Sequence, residues 1–311
     1  MGTTKQTLAY VAFGMTLSVA AVAGFAFRES DKNEGTVEVK ENSKLQYKWY
    51  QVDMPKAMSF AGERVPLERW DVRERLDREL NINYYMHGST LYVLKLTTRY
   101  FPMIEEILKE NGVPDDFKYL CVAESSLQPS ATSAVGAASF WQFMKDTGPQ
   151  YGLEIRDEVD ERYHARKATQ AACTYLKAAY AKFGTWTAAA ASYNCGMGGY
   201  NSHSTFQGFS NYYDIALPEE TNRYVFRILA LKHLLSNPAF YGYILEGEEK
   251  YRPIKTRTVT VTSTISDLAA FAKENGSTYK MLKLQNPWLR ARTLTVKPGK
   301  SYEIEFPLDK Q

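Results

Sequence analysis

Residues 113–129 read VPDDFKYLCVAESSLQP, and the reading of this stretch decides the rest. Pro114 followed by Asp115 and Asp116 marks a helix start, because proline suits the first turn and acidic side chains favour the positive end of the helix. Phe117, Leu120, Cys121 and Glu124 then fall at i, i+3, i+4 and i+7, the spacing of one buried helical face. Glu124 therefore stands where an apolar residue belongs. Burial disfavours the charged carboxylate and raises its pKa, which is what a general acid needs to stay protonated near neutral pH. A buried glutamate with a purely structural hydrogen bond is the competing reading. Ser125 and Ser126 follow directly and supply hydroxyls to orient the carboxyl group.

Working outward, helical patterning runs through LERWDVRERLDRELNINYYM at 67–86 and RYFPMIEEILKENG at 99–112. It continues through ARKATQAACTYLKAAYAKFG at 165–184, where Gly184 is the expected stop, and EETNRYVFRILALKHLL at 219–235. After Pro253 the composition changes. IKTRTVTVTSTI is rich in β-branched residues and reads as a strand. A helix capped by Ser266, a second helix ending near Pro287, and an alternating strand in KPGKSYEIEFP complete a βααβ pattern. The predicted fold class is mainly α, a helical domain over 91–245 followed by a small α+β module over 254–308. Residues 28–90 are expected to be a polar tether and an N-terminal helical extension, and 45–90 carry no function legible in the sequence.

With 311 residues and 44% hydrophobic content, the chain can bury a substantial core and has room for about two domains. A net charge of +3 points away from nucleic acid, and the basic excess is confined to the tail, where eleven Lys and Arg face five Asp and Glu from residue 251 onward. Lys5 precedes an apolar run from Leu8 to Phe27, with Ala21-Val22-Ala23 as a small-residue cleavage signal. Residues 1–27 are thus an export signal or, uncleaved, a membrane anchor, and the rest of the chain is expected outside the cytoplasm in the periplasm or cell envelope. Cys121, Cys173 and Cys195 are odd in number and fit no common zinc spacing, so all three are read as structural, and no metal or cofactor is expected.

Two further segments bear on chemistry. In SAVGAASFWQFMKDTG at 133–148, Gly136 and small neighbours allow close backbone approach, and Gln142 sits among aromatic residues, a combination that suits a sugar, although an ordinary helix contact is equally compatible. In AAAASYNCGMGGYN at 188–201, an alanine-rich helix is expected to run into a glycine-rich loop that frees Tyr193 and Asn194 to face a ligand. GMGGY lacks the strand and spacing of a phosphate-binding loop.

Taken in order, AESSLQPSATSAVGAASFWQFMKDTGPQYGL, DERYHARKATQAACTYLKAAYAKFGTWTAAAASYNCG and NYYDIALPEETNRYVFRILALKHLL resemble the catalytic domain of the SLT-type lytic transglycosylases, a glycoside hydrolase family, and most of all its membrane-bound murein type. The C-terminal ISDLAAFAKENGSTYKMLKLQNP and LTVKPGKSYEIEFP resemble a LysM peptidoglycan-binding repeat. The resemblance implies a lysozyme-like helical fold and cleavage of the MurNAc-β-1,4-GlcNAc bond of peptidoglycan glycan strands, leaving 1,6-anhydro-MurNAc ends. It implies Glu124 as the single catalytic acid and base, with Ser125, Gln142, Tyr193, Asn194 and Glu220 lining the sugar cleft. One carboxyl group suffices in such chemistry because the substrate supplies its own nucleophile. The chain departs from the family pattern at Ser139, where glycine is common, and at Ser192, where alanine is common. Ser139 is expected to add a side chain where the backbone approaches the glycan. A peptidoglycan-binding protein without activity and a hydrolytic muramidase are the alternatives.

Overall fold

In the computed structural model, residues 50–308 are described, so the expected signal or anchor at 1–27 and the start of the tether lie outside the described residues. Among the described residues no helix is long and apolar enough to cross a membrane. A short antiparallel hairpin of β1 (Ser59–Phe60) and β2 (Glu63–Arg64) precedes six helices: α1 (Trp70–Tyr85), α2 (His87–Glu110), α3 (Phe117–Ser125), α4 (Ala165–Phe183), α5 (Trp186–Gln207) and α6 (Glu219–Ser236). The chain closes with β3 (Thr256–Val261), α7 (Leu268–Glu274), α8 (Tyr279–Gln285) and β4 (Tyr302–Pro307). This is the mainly α body with a βααβ module that the patterning predicted.

Short α3 lies at the centre. Leu120, Cys121 and Val122 on it are buried and the helix packs against α2 and α6, while α4 packs against α2 and α5, and α5 against α6. Ala188, Ala189, Ala190 and Ala191 are fully buried, and their small side chains let α4 and α5 approach closely. Helix termini are secured by particular side chains. The Glu63 carboxylate accepts from the Trp186 and Thr187 amides at 2.6 and 2.9 Å, satisfying free N–H groups at the start of α5 with a favourably placed negative charge. At the start of α3, Asp116 accepts from the Ala61 amide at 2.6 Å and from Lys232 Nζ at 2.7 Å, which ties the hairpin, α3 and α6 together. Gly184 ends α4 in the left-handed conformation, as expected.

Residues 52–85 join the helical body: Val52, Phe60, Val65, Leu67, Val72, Leu76 and Leu80 share one hydrophobic core with α3, and α1 packs along α6. Two expectations are corrected. The glycine-rich stretch after Asn194 is no loop, because α5 continues to Gln207 and only breaks at Gly196. The cap of α7 is Asp267 rather than Ser266, its carboxylate accepting from the Ala269 and Ala270 amides at 2.7 and 3.1 Å.

In the module, β3 and β4 pair antiparallel from Thr256↔Pro307 to Val261↔Tyr302. Leu268, Leu282, Leu289, Leu294, Ile304 and Phe306 form its core, and that cluster also takes in Ala138, Val159 and Tyr163 of the helical body. Polar contacts cross the same junction. Lys300 Nζ and Tyr302 Oη donate to Glu154 at 2.6 and 2.9 Å, and Thr293 Oγ1 donates to Glu158 at 2.6 Å. Burial works to raise Glu154, yet hydrogen bonds from Lys300, Arg156 and Tyr302 hold it at about 2. Hydrogen bonds from Thr293, Arg156 and Thr295 likewise hold Glu158 at about 2.

Both carboxylates bind protons more weakly in the folded chain than in the unfolded one. The stability they contribute is therefore complete above the ordinary carboxylate range near 4.5 and is lost as pH falls toward about 2. Calorimetric melting across that window should show a fall in Tm that becomes shallower in the Glu154→Gln/Glu158→Gln double variant; an equal slope in both proteins would count against this account.

Candidate active site

The site begins with the way α3 ends. Ser126 and Leu127 both adopt left-handed φ, 52° and 57°, so the chain turns away immediately after Glu124 and Ser125. Such conformations cost non-glycine residues roughly 1–2 kcal/mol each and persist only where surrounding structure imposes them. Here they hold Glu124 at the edge of the core, partly accessible rather than sealed in. Tyr224 of α6 donates its phenol hydrogen to Glu124 Oε1. Burial raises the carboxyl group to about 7 despite that hydrogen bond and the attraction of Arg227, with the negative charge of Glu220 adding to the rise.

Facing α3 is the loop 131–143, closed on itself by bridges from Ala138 to Thr132 and Phe143. Ser139 and Gln142 in it also have positive φ, 61° and 48°. Gln142 Nε2 donates to the Ser139 carbonyl at 2.7 Å, which fixes the side-chain amide. From α5, the Tyr193 hydroxyl donates to the Trp141 carbonyl at 2.8 Å and its ring packs edge-on against Phe143 and Tyr175. Asn194 Oδ1 accepts from Thr221 Oγ1 at 2.8 Å, joining α5 to the start of α6. Two residues on, Gly196 has φ 75° and ψ 149°, a region open essentially only to glycine, and the break falls just after Tyr193 and Asn194.

Tyr193 lies within electrostatic reach of Glu124 and meets the loop at Trp141, next to Gln142, while Asn194 is tied to the start of α6. Ser125, expected beside a ligand, is instead buried, its hydroxyl donating to the carbonyl oxygens of Cys121 at 3.2 Å and Phe140 at 3.0 Å. It fastens α3 to the loop. Glu220 is exposed and bonded to Arg227 at 2.8 Å, acting on Glu124 through charge rather than contact. Ser139 is fully buried and its hydroxyl has no hydrogen-bond partner, so it faces the interior and not a glycan. Ser192 is buried too, donating to the Ala189 carbonyl at 2.8 Å.

Sequence reasoning missed two participants. Tyr224 was legible in principle, since a tyrosine on the buried stripe of α6 needs a partner for its hydroxyl. Glu79 follows the same logic as Glu124: with Val72, Leu76 and Leu80 it lies on the inner face of α1 and is 1% exposed. It accepts from Arg223 Nε at 2.7 Å and lies 3.8 Å from Arg227 Nε. A cavity of about 310 Å³ opens beside α3 there, lined by Glu79, Val122, Ala123, Ser126, Arg223 and Arg227 among others. Among the described residues no cluster of three His, Cys, Asp or Glu side chains is placed to hold a metal ion. Cys121, Cys173 and Cys195 are all free thiols.

Two parts of the chain match known families. Residues 101–214 match the family model of the transglycosylase SLT domain, and residues 257–310 match that of the soluble lytic transglycosylase C-terminal LysM-like domain. The first match lies within the helical body and the second covers most of the βααβ module. The chain is similar to membrane-bound lytic murein transglycosylase D of Escherichia coli strain K12 and of Escherichia coli O6:H1 strain CFT073, at 28% identity over 244 residues, covering 76% of this chain and 52% of each relative. It spans about half the length of those curated relatives. A solved structure of an inactive mutant of lytic transglycosylase Slt from Pseudomonas aeruginosa aligns over 49% of this chain and 26% of its own, at 19% identity and a TM-score of 0.38.

Glycine at position 139 would relieve the left-handed strain and remove the orphaned buried hydroxyl, gains only partly offset by the greater flexibility of unfolded glycine. Ser139→Gly should stabilise the protein by about 1 kcal/mol in urea unfolding; a destabilised variant would mean that the hydroxyl has a partner after all.

Proposed function

We propose that this chain is a peptidoglycan lytic transglycosylase of the cell envelope, with Glu124 as its single acid and base. The observation that carries the reading is the state of Glu124: a half-buried carboxyl group, raised to about 7, held by Tyr224 at the meeting point of α3, the loop 131–143, α5 and α6. A carboxyl group in that range is substantially protonated at neutral pH and also able to take a proton back. The relatives' names, which include murein and membrane-bound, agree with an envelope location and a peptidoglycan substrate.

In the proposed reaction the Glu124 carboxylic acid protonates the glycosidic oxygen between N-acetylmuramic acid and N-acetylglucosamine as that C–O bond breaks. The carboxylate left behind is stabilised by the Tyr224 hydroxyl. It then accepts the proton of the muramoyl 6-hydroxyl while that oxygen attacks the anomeric carbon, closing a 1,6-anhydro ring and restoring the acid. No second catalytic carboxylate is needed, and Glu220, the acidic group that acts on Glu124, is exposed and paired with Arg227. Gln142 and Asn194 are suited to the acetamido and hydroxyl groups of the sugars, Gln142 through its carbonyl oxygen and Asn194 through its amide hydrogens. The LysM-like module, with its basic surface, is proposed to hold the enzyme on the glycan.

Digestion of purified peptidoglycan tests the reading directly. Wild type should release muropeptides with anhydro ends and Glu124→Gln none, because glutamine keeps the size of the side chain but carries no transferable proton. Ends reducible by borohydride would identify hydrolysis instead, and binding without release from wild type would leave a glycan-binding protein.

The pH dependence is fixed by the same carboxyl group. The acid form is required, so kcat should fall as pH rises through about 7. The Tyr224 hydrogen bond favours the carboxylate, and Tyr224→Phe should therefore move that limb to higher pH while lowering the maximal rate; an unmoved limb would assign it to another group.

A further inference from the structure

The loop 131–143 carries Gln142, yet neither α3 nor α5 alone explains how its conformation is held. Its other side rests on the segment 154–163, which runs between the helical body and the C-terminal module. Arg162 of that segment is almost fully buried, and its Nη1 donates to the Gly136 carbonyl at 2.9 Å and to the Phe143 carbonyl at 3.1 Å. Those two carbonyls stand at opposite ends of the turn that contains Ser139 and Gln142. The remaining guanidinium nitrogens are occupied by Asp160, Nε at 2.9 Å from Oδ1 and Nη2 at 2.7 Å from Oδ2, a forked geometry that leaves Arg162 little freedom. Beside it the Tyr163 hydroxyl lies 3.1 Å from Thr132 Oγ1, a second contact from segment to loop.

The segment in turn is held by the module. The Asp160 amide donates to the Trp288 carbonyl at 2.9 Å, and the Arg290 amide to the Glu158 carbonyl at 2.7 Å, as in a strand pairing centred on Val159 and Leu289. The Arg290 guanidinium lies 4.2 Å from the centre of the Tyr163 ring, and Trp288 stacks between His164 and Tyr302. Thr293 and Thr295 grip the Glu158 carboxylate at 2.6 and 3.0 Å. Ala138, at the middle of the loop, is itself part of the module's apolar cluster. A continuous set of short contacts thus runs from the module through Glu158, Asp160 and Arg162 to the carbonyls that flank Gln142.

We propose that Arg162 is a positioning residue for the loop 131–143, and that the LysM-like module, by clamping the segment 154–163, holds Arg162 in place. The module is then part of the catalytic domain's framework as well as a glycan-binding attachment. This inference rests on the proposed function only for its effect on turnover, since the loop's order is measurable without substrate.

The test uses the full chain and two variants that spare the loop and Glu124. Arg162→Lys keeps the charge but loses the fork that spans Asp160 and two carbonyls. Glu158→Ala removes the grip of Thr293 and Thr295 from the far side of the segment. In native-state hydrogen exchange, the Ala138 and Ser139 amides, which are bonded to Phe143 and Ala131, should exchange about tenfold faster or more in both variants, while amides in α4 keep the wild-type rate. Peptidoglycan turnover should fall in both variants. If Glu158→Ala leaves the loop amides unchanged, or if either variant accelerates α4 and the loop equally, the proposal is overturned. A wild-type protein that cleaves no glycan, with the local acceleration still present in both variants, would sink the enzymatic reading and leave the brace standing.

Discussion

Glu124 sits on a nine-residue helix whose buried side chains are mostly apolar, and the surrounding structure is arranged around the cost of keeping a carboxyl group there. Left without partners, a buried carboxylate is expensive enough that the group holds its proton instead. The fold supplies one phenol, from Tyr224, and a distant guanidinium, from Arg227, and that modest support leaves the group near neutrality rather than fixed in either form. Glu79 provides the contrast. It lies on an equally apolar face of α1, but Arg223 bonds it directly and Arg227 approaches it, so that carboxylate serves as an anchor for cations. Two glutamates with the same helical spacing thus have different uses, decided by what α6 brings opposite each.

Much of this was legible in the sequence because it follows from periodicity. The stripe through Phe117, Leu120 and Cys121 placed Glu124 on a buried face, the β-branched run after Pro253 marked β3, and Gly184 marked the end of α4. What escaped depended on contacts between distant segments. Ser125 is one residue from Glu124, but helical geometry turns it toward the Phe140 carbonyl and away from the cleft. The glycines after Asn194 suggested a loop, whereas one residue in a glycine-only conformation kinks a helix without ending it, and Gly198 and Gly199 then continue within α5. Nothing local in 154–163 hinted that its partners lie near residue 290.

That junction alters how the C-terminal module is understood. Modules joined by a free linker contribute local concentration and leave each other's conformation alone. Here apolar burial around Val159 and Leu289, backbone pairing and a carboxylate clamp make the boundary resemble an interior, with Ala138 of the loop drawn into the module's core. The same holds at the other end, where Val52 to Leu80 complete the body ahead of α2. Both junctions are packed rather than tethered.

The partial exposure of Glu124 also has a consequence for affinity. Any ligand that covered the carboxyl group would deepen its burial and favour the protonated form still further. Proton uptake would then accompany binding, and by linkage the two would reinforce each other, so that acidity tightens the grip on the ligand. Release would work in reverse, since departure of the ligand exposes the group again and lets the proton go.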